Sequence, residues 1–179
     1  MYLWIVLIVI ALFIILLFNQ IIREENDAKK AFSTVDVFLK KRYDLIPNLV
    51  ETVKGHAAHE KEVFENIANA RTKAVNSSDA NAVVKADGEL NSALKSLFMV
   101  AEQYPNLKTN ASYLELQKNL LLLEDELSAA RRTYNAAVTE YNVTLESFPT
   151  NIVAKMMNKK QKELFTANDD VRNSIKIDM

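Results

Sequence analysis

The stretch AKKAFSTVDVFLKKRYDLIPNLVETV, residues 28–53, decides the fold. Ala28, Phe32, Val35, Leu39, Ile46, Leu49 and Val53 recur at steps of three and four once Arg42 is counted among them. That spacing keeps apolar side chains on one face of a helix packed against partners. Pro47 lies inside the pattern and does not reset it. A proline within a helix removes one hydrogen bond and crowds the carbonyl four residues back, here that of Tyr43, so a bend is expected. Asp44 could instead cap a new helix with Pro47 in its first turn. The same phase continues through Val63, Ile67, Ala70 and Ala74, which favours one helix over about residues 24–75, bent near Pro47.

Two further seams follow. Val83, Ala86, Leu90, Ala93, Leu97, Val100 and Tyr104 form the second, closed by Pro105-Asn106 because proline cannot comfortably continue a helix. The polar run Asn76-Ser77-Ser78-Asp79 precedes it as a linker, with Ser78 or Asp79 as its cap. The third seam runs through Tyr113, Leu116, Leu120, Leu123, Leu127, Ala130, Tyr134, Ala137, Tyr141, Leu145 and Phe148 and predicts one long helix. With only 2 Gly and 3 Pro in 179 residues, the chain lacks the usual formers of sheet turns. The predicted class is all-α, an antiparallel bundle of long helices, and a four-helix bundle if the first element is counted as two.

Upstream of the bundle, Tyr2 to Phe18 is an unbroken apolar run that Ile21 and Ile22 extend past Asn19 and Gln20. Its length suits a hydrocarbon core of roughly 30 Å. No basic leading region or small-residue cleavage site of a secretory signal is visible, so residues 1–22 read as a retained transmembrane anchor. Arg23, Lys29 and Lys30 follow it, and no charged side chain precedes it. The positive-inside rule then places the bundle, residues 23–149, in the cytoplasm. Residues 150–179 form a basic amphipathic segment and tail. Ile152, Val153, Met156, Met157, Leu164 and Phe165 alternate there with Lys155, Lys159, Lys160 and Lys162. A basic amphipathic helix of this kind lies on an anionic membrane, in a partner's groove, or folded back on its own bundle. A first helix of 52 residues would reach roughly 75 Å at 1.5 Å per residue, leaving the tail away from the bilayer after two further passes.

The 22 basic and 23 acidic residues give a net charge of −1. Such a balance lacks the basic stripe that a nucleic-acid surface needs. With no Cys, disulfides, thiol nucleophiles and thiolate metal ligands are excluded. No Gly-rich phosphate loop or catalytic triad is recognisable, and no cofactor or small-molecule substrate is expected. Arg42, His56 and Glu60 occupy seam positions where apolar residues belong. His56-Ala-Ala-His59-Glu60 superficially suggests a zinc hydrolase, but that motif spaces its histidines four apart with Glu directly after the first. The expected roles are partial exposure for His56 and His59, and for Arg42 and Glu60 either a register-fixing contact with each other or a tilt toward solvent. Asn76, Asn110 and Asn142 head glycosylation sequons, which carry no weight for a cytoplasmic domain.

Several runs of residues resemble one family. They are Val35-Asp36-Val37, then Leu39-Lys40-Lys41-Arg42-Tyr43-Asp44-Leu45-Ile46-Pro47-Asn48-Leu49-Val50-Glu51-Thr52-Val53-Lys54-Gly55, then His59-Glu60-Lys61-Glu62. Ala101-Glu102-Gln103-Tyr104-Pro105-Asn106-Leu107-Lys108, Arg131-Arg132-Thr133-Tyr134-Asn135-Ala136-Ala137-Val138, Tyr141-Asn142 and Glu146-Ser147-Phe148-Pro149 follow in order. Over about residues 24–165 the chain is similar to the LemA family of bacterial single-pass membrane proteins. It departs from that pattern at Phe32, usually Trp, at His56, usually Tyr, and in its tail. The resemblance implies an N-terminal transmembrane helix, a bundle of four helices and no established catalytic activity. It also implies an association with membrane organisation, in one branch with magnetosome formation, and encoding near membrane proteases, which makes a membrane protease one candidate among otherwise unidentified membrane-protein partners. Arg42, Tyr43, Asp44, Pro47, Asn48, His59 and Glu60 are the signature and candidate interaction residues. Lys155, Lys159, Lys160 and Lys162 are candidates for lipid or partner contact. The expected function is an anchored, self-associating scaffold or adaptor for other membrane proteins, with membrane remodelling through the bundle and basic tail as the alternative.

Overall fold

A computed structural model describes residues 2–77 and 80–165. Six α-helices and no strand occur among them: α1 Tyr2–Lys54, α2 Lys61–Asn76, α3 Ala80–Glu102, α4 Pro105–Lys108, α5 Ala111–Glu146 and α6 Thr150–Met156. The expected all-α class is therefore what forms. Ser78 and Asp79, the expected caps of α3, lie outside the described residues, as does the tail beyond residue 165.

The expected continuous helix to residue 75 is corrected. The backbone stays helical through Pro47, but α1 ends at Lys54 and the chain reverses over residues 55–60. Gly55 N–H donates to the Glu51 carbonyl at 3.1 Å, and those of His56 and Ala57 both donate to Val53 at 3.0 and 2.9 Å. Ala57 is the buried residue of this turn. Burial passes from the expected His56 to Ala57 and from Val63 to Phe64, a shift of one residue. A turn built of Gly, His, Ala, Ala, His and Glu holds one turn former, and the apolar count resumes nearly in phase beyond it.

Compact packing divides the chain into two units. One takes Ala129–Leu164 with the chain up to Val35; the other takes Asp36–Ser128 with Phe165. In the second, the C-terminal part of α1, α2, α3 and the N-terminal part of α5 form a four-helix arrangement around Leu39, Ile46, Leu49, Val53, Ile67, Leu90, Leu97 and Leu127, all buried. Each such side chain contributes about 1.5–3 kcal/mol on leaving water. Pro105 occupies the first turn of α4, where its missing N–H costs nothing. Asn110 caps α5, its Oδ1 accepting the Tyr113 N–H at 3.1 Å.

Pro47 is accommodated through a contact between helices. It has no N–H to give to the Tyr43 carbonyl, and Arg71 of α2 donates its Nε to that oxygen at 2.8 Å. The two substitutions should therefore couple. Arg71→Ala is expected to cost about 1–2 kcal/mol, and distinctly less when Pro47→Ala restores the helical donor. Denaturant unfolding of the four forms of this cycle, with a coupling indistinguishable from zero, would disprove the link.

In the first unit, Ile21 of α1 packs with Tyr141 of α5 and with Val153 and Ala154 of α6, flanked by Leu17, Leu145 and Met157. The Phe32 and Tyr134 rings pack at a tilt of 58° with centroids 5.7 Å apart. Going from Phe32 to Ile21 in α1 thus matches going from Tyr134 to Tyr141 in α5, so the segments are antiparallel here. Two expectations about the tail are corrected. The basic helix stops at Met156, Asn158 takes a left-handed φ of 51°, and the chain continues without helix to Phe165. The segment also packs on Ile21, at the end of the apolar run. Among the described residues, α1 is the one helix long and apolar enough to cross a membrane, and its residues 2–16 are exposed.

Candidate functional site

Arg42 lies on the buried face of α1 in the four-helix unit, because the three-four count that buries Leu39 and Ile46 also buries position 42. Its Nη1 lies 3.2 Å from Asp87 Oδ1 of α3 and 3.2 Å from Glu124 Oε2 of α5. Its Nη2 donates to Asn91 Oδ1, and Asn91 Nδ2 donates back to Asp87 Oδ2 at 3.3 Å. Asp87 is buried, whereas the Glu124 carboxylate reaches water. The planar guanidinium thus ties three helices together at one height. A buried, mutually satisfied network of this kind fixes register more than it adds stability. The expected Arg42–Glu60 contact is corrected: Glu60 sits in the α1–α2 turn, and the acids facing Arg42 come from α3 and α5.

Asp87, Asn91 and Glu124 were not singled out from the sequence. The signal was present, since each lies one position beyond an apolar seam residue and Asp87 and Asn91 are four apart on one helix face.

The remaining signature residues divide by exposure. Tyr43 is buried and engaged through its carbonyl, while Asp44, Pro47 and Asn48 are exposed on α1. Asp44 borders a shallow groove of about 650 Å³ lined by Phe38, Lys41, Leu45, Asn119, Leu122, Leu123 and Glu126. Lys41 Nζ lies over the Phe38 ring at 5.3 Å, a cation–π contact at the groove's rim. Leu114, Leu121 and Leu122 of α5 are exposed in the same unit. His56 and His59 are exposed in the turn and not on a helix, and Asn110 Nδ2 lies 3.4 Å from His56 Nε2. Among the described residues no group of three or more His, Cys, Asp or Glu is arranged to hold a metal ion.

The basic residues belong to the other unit. Lys159 Nζ pairs with Glu25 Oε2 at 2.6 Å, and Lys29 approaches Glu25 Oε1 at 3.3 Å. Lys162 sits over the Tyr141 ring at 5.7 Å, while Lys155 and Lys160 are exposed. Backbone bonds strap the segment down. Tyr134 Oη donates to the Glu163 carbonyl at 3.1 Å, Tyr141 Oη to that of Lys160 at 3.3 Å, and Asn142 exchanges two bonds with Lys162 at 2.9 and 3.0 Å. The Lys159 ammonium holds the Glu25 carboxyl below its ordinary value, against the opposing effect of burial and with help from Lys29. Burial and the Glu25 charge raise the Tyr141 phenol.

A depressed carboxylate stabilises the fold above its ordinary value of 4.5 and loses that contribution as pH falls through its folded value. Glu25→Gln is expected to lower the melting temperature at neutral pH, with the gap from wild type closing under acid. A gap that stays constant down to acid pH would rule out the linkage.

The LemA family model matches residues 31–179. The chain belongs to the LemA family. Among its relatives, a protein named LemA from Metamycoplasma hominis is 28% identical, over 84% of this chain and 69% of that protein. Magnetosome protein MamQ 2 of Paramagnetospirillum magneticum is also 28% identical, over 83% of this chain, and MamQ of Magnetospirillum gryphiswaldense is 26% identical over the same share. The chain spans 64% of the length of these magnetosome proteins. It is a membrane-associated helical protein of the LemA family, and of the residues around Pro47 it is Arg42 that enters the junction with Asp87, Asn91 and Glu124 and Tyr43 that meets Arg71.

Proposed function

We propose that this protein is a membrane-anchored helical scaffold that self-associates and organises other membrane proteins, without catalysis, its bundle on the cytoplasmic side of a bacterial membrane. The observation that carries this reading is the groove lined by Phe38, Leu45, Leu122 and Leu123, with Leu114 and Leu121 exposed on the same helix α5. Contiguous exposed apolar side chains with a charged rim, here Lys41, Asp44 and Glu126, suit the face of a second helix. The Arg42 junction beside it supports the reading by holding the helices that carry the groove in register. Arg23, Lys29 and Lys30 after the anchor support the cytoplasmic orientation. The magnetosome names of two relatives fit a membrane context, and membrane proteases are the partner class that the family resemblance suggests. Remodelling through the basic segment is the weaker reading, because Lys159 and Lys162 are engaged within their own unit.

Purified full-length protein in detergent is expected to sediment as an oligomer and to be captured with membrane-protein partners on crosslinking in its native membrane. Leu121→Glu combined with Leu122→Glu changes two exposed positions and should leave folding within about 0.5 kcal/mol of wild type for each. This variant is expected to run as a monomer and to lose the crosslinks. A wild-type protein that is monomeric and captures no partner would overturn the proposal.

A further inference from the structure

The corner between α5 and α6 carries three exposed apolar side chains spaced four apart: Phe148, Ile152 and Met156, with 81%, 54% and 82% of their surface in contact with solvent. Phe148 falls on the third apolar seam, yet it is open because α5 ends at Glu146. On the other side of the same corner, Val153 and Ala154 are buried against Ile21. The corner is therefore amphipathic and already docked through its inner face.

Its position identifies what covers the outer face. Ile21 lies at the end of the apolar run of α1, and Leu17 lies one turn inside it. Tyr141 meets Ile21, and Leu145, one turn further along α5, joins Leu17 at the border of the same cluster. Since α5 runs antiparallel to α1 here, the chain after Leu145 is still heading toward the N-terminal end of α1 when it turns. The turn after α5 thus lies about level with Leu17, about 6 Å inside the end of the apolar run at 1.5 Å per residue, and α6 lies level with that end, where Val153 and Ala154 meet Ile21. An anchor that spans the bilayer puts that level in the boundary between headgroups and acyl chains. Interfacial helices bury their apolar face there by about 5–10 Å. Exposed Arg23, Lys155 and Lys160 belong to the same unit and suit anionic headgroups, and the Glu25–Lys159 pair lies one turn beyond the run.

We infer that the α5–α6 corner is a second membrane contact, in which Phe148, Ile152 and Met156 enter the lipid interface beside the anchor and fix the tilt of this unit on the bilayer. The inference rests on the anchor of the proposed function, and the test separates the two. The natural chain has no Cys, so single-cysteine variants take one label each. Ile152→Cys and Met156→Cys carry an environment-sensitive fluorophore in the full-length protein, reconstituted in vesicles of phosphatidylethanolamine and phosphatidylglycerol. Leu7→Cys serves as the reference within the anchor, and Thr133→Cys, exposed on α5 beside Tyr134, as the aqueous reference.

Labels at 152 and 156 are expected to shift to the blue and to lose most of their emission to nitroxides on the lipid chains, as the label at Leu7 does. The label at Thr133 is expected to respond to aqueous iodide instead. Labels at 152 and 156 that follow Thr133 while Leu7 stays shielded overturn the membrane contact and leave the anchor standing. A Leu7 label that itself follows Thr133 overturns the anchor and the contact with it. Shielding at 152 and 156 that disappears when the protein is diluted to one chain per vesicle assigns the surface to a second copy and overturns the lipid assignment.

Discussion

Arg42→Ala is expected to destabilise the four-helix unit by about 3–5 kcal/mol. The reason lies with what remains behind. Asp87 is buried, and removing the guanidinium leaves its carboxylate without the cation 3.2 Å away that offsets its desolvation. Glu124 loses the same cation but is open to water and relaxes at little cost. At roughly 2–4 °C per kcal/mol for a chain of this size, the melting temperature should fall by about 10 °C, measured by circular dichroism in detergent. Replacing both partners, Arg42→Met with Asp87→Leu, should recover most of the loss, since a buried ion pair adds little over well-packed apolar side chains. Arg42→Lys should recover only part, because an ammonium cannot present the planar fork that reaches Asp87, Asn91 and Glu124 together. A melting temperature for Arg42→Ala within a degree of wild type would show that the junction does not close in solution.

Tyr134→Ala is expected to cost a further large amount, about 3–5 kcal/mol, in the unit that contains the anchor's end. Tyr134 is almost wholly buried, its ring packs at a tilt against Phe32, and its hydroxyl donates to the Glu163 carbonyl. Truncation removes the ring contact, opens a cavity and releases one strap on residues 158–164. Tyr134→Phe keeps the ring and loses only the hydrogen bond, a change of about 0.5–1.5 kcal/mol. Amide hydrogen exchange should therefore separate the two. Tyr134→Phe should quicken exchange at residues near Glu163, whereas Tyr134→Ala should also quicken it in α5 around the vacated site. Equal effects of both substitutions would show that the ring contributes nothing beyond its hydroxyl.

Much of this architecture was legible in the chain before any tertiary information. The seam of Ala28, Val35, Leu39, Ile46, Leu49 and Val53 is buried as the period required, with Phe32 half-buried. The apolar run lies within a helix, and α3 stops before Pro105, as their composition requires. The continuity of α1 through Pro47 was also readable, because the phase is unchanged on both sides of it and no turn former stands nearby. These are properties of a single segment, carried by the spacing and polarity of neighbouring residues.

The reversal at residues 55–60 escaped the same reading because Gly55 is its one turn former, and buried Ala57 stands one place from the expected seam position. Spacing and polarity within single segments specify an apolar N-terminal run, long helices and an arginine on an apolar seam. The tertiary structure alone decided that Arg42 meets Asp87 and Glu124, that Arg71 serves the carbonyl Pro47 leaves behind, and that Val153 and Ala154 rest on Ile21. Each of these depends on which helix stands opposite at a given height, and no single helix holds that information.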